Sequence, residues 1–79
     1  RYSVFIEDLG DLDAAKEYCG RIRERKYGEP YIMIDQYNGD IRYQVFVGNY
    51  VTKDMANKNL QLLTQNGMKG RVVDLRNDY

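Results

Sequence analysis

The chain writes one unit twice, and that constrains its fold more than any other feature. Residues 41 positions apart match in kind: Tyr2 with Tyr43, Val4 with Val45, Phe5 with Phe46, Ile6 with Val47, Asp13 with Asp54, Ala15 with Ala56, Ile22 with Leu63, Ile32 with Val73 and Ile34 with Leu75. Each half reads strand, helix, strand. Period-2 alternation marks strands at residues 2–7, 31–36, 41–48 and 71–75. Asp11 and Thr52, equivalent under the same offset, suit helix N-caps. Ala15, Cys19 and Ile22, with Leu12 and Tyr18, form one apolar helix face; Ala56, Leu60 and Leu63 form its counterpart. Gly67, after Asn66, suits one helix stop, and Gly28 and Pro30 the other.

Asn38-Gly39 stands between the halves. A two-residue hairpin turn of type I′ needs positive φ at both positions, which this pair supplies. The second and third strands therefore pair antiparallel. The order βαββαβ predicts an α+β, ferredoxin-like or RNP-like fold: a four-stranded antiparallel sheet, both helices on one face and an internal two-fold repeat. With 79 residues there is one small core, so residues 1–79 form a single domain. The sequence begins at Arg1 without a methionine and is read as a domain of a longer protein.

The stretch Val45-Phe46-Val47-Gly48-Asn49-Tyr50 has the look of the shorter RNP signature of RNA-recognition motifs. In those motifs it lies on the first strand and an aromatic partner signature on the third. Here it lies on the third strand, and the partner is missing. Twelve basic and twelve acidic residues cancel, whereas a nucleic-acid module usually carries a basic excess. Both observations count against a nucleic-acid partner.

Strand parity assigns Val4, Ile6, Ile32, Ile34, Tyr43, Val45, Val47, Val73 and Leu75 to the helix side. Phe5, Tyr31, Met33, Arg42, Gln44, Phe46 and Val72 then face the other side, which no helix covers. The expected core is Val4, Ile6, Ala15, Ile22, Val45, Val47, Ala56, Leu60, Leu63 and Val73. An uncovered face with aromatic residues on equivalent strands marks a binding surface. Its rings stack on flat partners: bases, or the C–H faces of sugars. Phe46 on this face is expected to serve binding and to be dispensable for folding.

The halves begin hydrophobic-x-hydrophobic, run through glycine and an aromatic residue in the second copy, and continue into a helix with an early alanine. In this the chain resembles the SPOR domain. Tyr43 to Tyr50, Thr52, Asp54, Ala56, Leu60, Leu63, Asn66-Gly67-Met68 and Val72-Val73 carry the likeness, with Tyr2 to Ile6, Ala14-Ala15 and Ile22 in the first half. Two departures stand out. Glu7-Asp8-Leu9 occupies the place of the family's glycine, small residue and aromatic residue, and Phe5 stands where the family often has a polar residue. The resemblance implies a non-catalytic, bacterial cell-envelope module that binds glycan strands stripped of stem peptides and brings its parent protein to the division septum. It implies a periplasmic or envelope location and a parent chain that is exported or membrane-anchored. The glycan-binding residues it implies are Phe5, Asp8, Tyr31, Met33, Arg42, Gln44, Phe46 and Val72. Arg42 would meet the lactyl carboxylate with its fork of donors, and Gln44 the acetamido groups.

Catalytic and metal readings are weaker. The chain has no histidine, and no nucleophile triad can be assembled. A Glu7–Asp35 carboxylate pair would need a cleft that a flat sheet does not offer. The acids at 7, 8, 11 and 13 do not follow a calcium-loop spacing and suit the positive end of a helix. Arg21, Arg23, Arg25 and Lys26 suit its negative end. Cys19, the single cysteine, is expected in the core. The reading expects no metal and no cofactor. The alternatives to glycan binding are a single-stranded nucleic-acid binder and a protein-interaction domain, each using the open face.

Overall fold

The computed structural model describes residues 1–76. The elements are β1 (Tyr2–Leu9), α1 (Leu12–Glu24), β2 (Pro30–Tyr37), β3 (Asp40–Tyr50), α2 (Lys53–Gln65) and β4 (Arg71–Asp74). The sheet runs β2-β3-β1-β4 with every neighbouring pair antiparallel. Asn38 and Gly39 both take positive φ, 51° and 86°, in the two-residue turn joining β2 to β3.

The helices begin where their caps dictate. Asp11 Oδ1 accepts from the Asp13 N–H at 3.1 Å, and Thr52 Oγ1 accepts from the Met55 N–H at 3.2 Å. They end alike. The Tyr27 N–H donates to the Ile22 carbonyl at 3.2 Å and the Met68 N–H to the Leu63 carbonyl at 3.0 Å. Both bonds close a Schellman-type turn through a left-handed residue. In α2 that residue is Gly67, as expected. In α1 it is Lys26, φ 59°, so the helix stops before Gly28 and Pro30 have any part in it.

Val4, Ile6, Ala15, Cys19, Ile22, Val45, Val47 and Leu63 form the main core between helices and sheet. Ala56 is buried, and Leu60 packs on this cluster while remaining partly exposed. Ile34 departs from expectation and is 66% exposed. The β2–β3 hairpin projects beyond β1, whose last partner is Tyr43, so Tyr37 and Ile41 stand on an overhang, and Ile34, opposite Tyr43 on edge strand β2, lies in the last row before it.

Two irregularities in β1–β3 pairing bend this strand pair. Val4 pairs with Val47 but Tyr2 with Tyr50, so β3 carries an extra residue there. Gly48 takes φ 79° at this bulge, and a Cβ would collide with the Tyr50 ring. The glycine in the RNP-like stretch is thus a bulge residue. The turned-in Tyr50 hydroxyl donates to Asn59 Oδ1 at 2.6 Å, and Asn59 Nδ2 donates to the Tyr27 carbonyl at 2.6 Å. This chain of bonds ties the end of β3 to α2 and to the loop after α1.

Strand β4 faces the opposite way from its expected parity. Val72 pairs with Val4, a core residue, and Arg71 with Phe5. Directly opposed residues share a face. A Cβ built on Gly70 would meet Ile6 and Val4, which puts Gly70, and with it Val72, on the helix side. Val73 is buried on the open side, opposite Ser3 and outside the main core cluster. Leu75 follows the end of β4, where its N–H donates to the Arg1 carbonyl.

Candidate functional site

Cross-strand register arranges the open face in rows. Tyr31 lies opposite Phe46, Phe46 opposite Phe5, and Phe5 opposite Arg71, so one row crosses all four strands. Its members touch in sequence. The Tyr31 and Phe46 rings stack, with centroids 5.5 Å apart and planes 13° from parallel. Phe46 and Phe5 meet edge-to-face at 5.4 Å. The Arg71 guanidinium lies over the Phe5 ring, 5.3 Å from its centroid. Each aromatic contact is worth about 0.5–1.5 kcal/mol beyond the area it buries.

Phe46 occupies the middle of this row and is only 2% exposed. It was expected to offer its own ring to a partner and to be spare in folding. The flanking Phe5 and Tyr31 instead shelter it, leaving themselves half-buried and presented to solvent. The surface of the row is Phe5, Tyr31 and Arg71, with Phe46 beneath as its foundation.

Tyr31 is fixed at its far end. Its hydroxyl donates to Ser3 Oγ at 2.8 Å, and Ser3 Oγ donates toward the Gly48 carbonyl at 2.7 Å and the Val47 carbonyl at 3.1 Å. Ser3 is fully buried at the bulge, its one proton committed to backbone carbonyls while its oxygen accepts from Tyr31, so it is an anchor and not a nucleophile.

The next row is Met33, Gln44 and Asp8, in register on β2, β3 and β1. Beyond it, Asp35 faces Arg42. Arg42 Nε donates to Asp8 Oδ1 at 2.9 Å and Nη2 to the Asp8 carbonyl at 3.2 Å. The guanidinium also packs against Gly10, where an added Cβ would come within 3.0 Å of Nη1. Arg42 therefore clasps the end of β1 and the start of the loop to α1.

The structure thus brings Phe5, Asp8, Tyr31, Met33, Arg42, Gln44 and Phe46 onto one face. Val72, expected among them, lies on the helix side, because β4 enters the sheet one residue out of the expected phase. The same phase error hid Arg71. One signal was available: the expected parity turned an arginine toward an apolar core, where arginine is almost never found unpaired. Glu7 and Asp35 do not form a pair, since Glu7 lies opposite Val45 and Asp35 opposite Arg42. A cleft of about 220 Å³, lined by Tyr18, Arg21, Arg25, Asn66, Gly67 and Met68, lies on the helix side, away from the aromatic row. The open face is a platform and not a cleft, with its aromatic row crossing all four strands.

Comparison with known proteins accords with this geometry. The crystal structure of the RlpA SPOR domain from Pseudomonas aeruginosa superposes with a TM-score of 0.78, covering 94% of this chain and 99% of that one at 15% identity, and so shares its fold. No curated protein sequence matches significantly. The SPOR domain family model matches residues 1–73, from the first strand through the β4 valines, and on that match the chain belongs to the SPOR domain family.

Proposed function

We propose that this domain binds the glycan strands of peptidoglycan from which stem peptides have been removed, and that it does so without catalysis. Family membership supports the coarser statement, a peptidoglycan-binding, septum-targeting module of the cell envelope. The single observation that carries the finer reading is the row Tyr31–Phe46–Phe5–Arg71 on the uncovered face. Tyr31 and Phe5 offer ring faces to the C–H faces of sugars. Gln44 and Met33 stand one row away, where an amide can both donate to and accept from acetamido groups. The parent protein is an exported or membrane-anchored chain that uses this domain to reach the periplasmic glycan at the septum.

The test is binding to purified sacculi before and after amidase treatment, beside single-stranded oligonucleotides across a salt series. Amidase treatment should raise binding. Phe5→Ala should weaken it by about 1–3 kcal/mol, the scale of stacking on an aromatic platform. Arg23→Ala, on α1, should leave it unchanged. Few charged contacts should give a shallow salt dependence, whereas several phosphate contacts would give a steep one. Tighter, steeply salt-dependent binding to oligonucleotides would transfer the face to nucleic acid.

A further inference from the structure

We infer that Arg71 is the residue that reads the lactyl carboxylate of the bound glycan, and that Arg42 is a loop clasp with no ligand role. The inference rests on the glycan reading above and assigns the charge recognition within it. Arg42 and Arg71 both lie on the open face, and their surroundings are opposite. Arg42 is already joined to Asp8 through side chain and backbone, and Asp35 stands across from it on β2. An incoming carboxylate there meets a cation already paired, with a second acid alongside, and like charges repel.

Arg71 is exposed on the edge strand and forms no ion pair among the described residues. Its guanidinium rests over Phe5. Guanidinium donors point outward in the plane of the group, so a guanidinium resting over a ring through its central carbon keeps N–H groups directed at the surroundings. Stacking also limits the positions the side chain samples before ligand arrives, which lowers the ordering cost of binding. The cation ends the same row whose rings would carry the sugars. A glycan laid along that row crosses the strands, with its carboxylate toward β4.

The experiment compares two soluble ligands by calorimetry. One is denuded glycan oligomers released from amidase-treated sacculi. The other is the same oligomers with the lactyl carboxylate converted to its methylamide. Wild type should prefer the acid form. Arg71→Gln should bind the acid form roughly ten- to a hundredfold more weakly, the range for a lost hydrogen bond to a charged group, and the amide form as wild type does. Arg71→Met, which keeps an apolar stem over Phe5, should behave the same way. Arg42→Gln should change both ligands by the same factor. Unchanged acid binding in both Arg71 variants overturns the inference. So does an equal loss on both ligands, which would reduce Arg71 to a packing role. A carboxylate-selective loss in Arg42→Gln would hand the role to Arg42. If wild type binds neither oligomer, the glycan reading itself falls, an outcome distinct from any defect confined to the variants.

Discussion

The two faces of the sheet bury side chains by different means. On the helix side, α1 and α2 lay a second layer over Val4, Ile6, Val45 and Val47. On the open side no element of the described chain does this, yet Ser3, Phe46 and Val73 are 0%, 2% and 3% exposed. There the shelter is lateral: Phe5 and Tyr31 close over Phe46 from adjacent strands, and the bulge at Gly48 receives Ser3. A face without a covering layer is thus not uniformly a surface. It has its own small interior, and only the residues that roof it are available to a partner.

Substitutions on each side test that contrast. The largest effect expected is from Phe46→Ala, about 3–5 kcal/mol of destabilisation in chemical unfolding, as for a fully buried aromatic. A neutral result would mean that the row does not shelter its centre. Leu63→Ala, beneath the helices, should cost about 2–5 kcal/mol and serves as the helix-side reference. Tyr31→Phe should cost less, about 0.5–1.5 kcal/mol, because it removes one hydrogen bond and keeps the ring. Its Tm shift would show how far Ser3 holds the roof in place. Lys26→Gly should stabilise by about 1 kcal/mol, since lysine there is held in the left-handed region that glycine enters freely.

The smallest effect is a pH dependence. Burial raises the pKa of the Cys19 thiol, with Arg23 opposing, and burial raises that of the Tyr50 phenol. Both groups lose their proton more readily in the unfolded chain, from their ordinary values of 9.0 and 10.0. Stability is therefore full below that range and falls as pH rises through it. Cys19→Ala should flatten the first part of the decline in urea midpoints measured from pH 7 to 10.5. An unaltered curve would place the sensitivity elsewhere.

Local chemistry explains which features were legible in the sequence. Asn38-Gly39 and the caps Asp11 and Thr52 act through their own backbone neighbours, so each reads from a few residues. The facing of β4 does not. Arg71-Val72-Val73-Asp74 has valines at two adjacent positions, and either one satisfies an inward apolar face. Only pairing with β1 decides between them. The burial of Phe46 was equally hidden, because it depends on rings contributed from residues 5 and 31. Ile34 failed for a third reason: alternation gives a side but not how far the helices reach along it.

Strand β4 is four residues long and pairs with β1 alone, whereas β3 runs eleven residues between two partners. In the free domain, amide protons of β4 should exchange first among the strands, through fraying that leaves the rest of the sheet intact. Arg71 would leave with it. A ligand gripping Arg71 together with Phe5 and Tyr31 would fasten this loose margin to the centre, so occupancy should appear as slowed exchange at residues 71–74. The recognition element and the weakest seam of the sheet would then be the same four residues, and binding would be read as the closing of an edge.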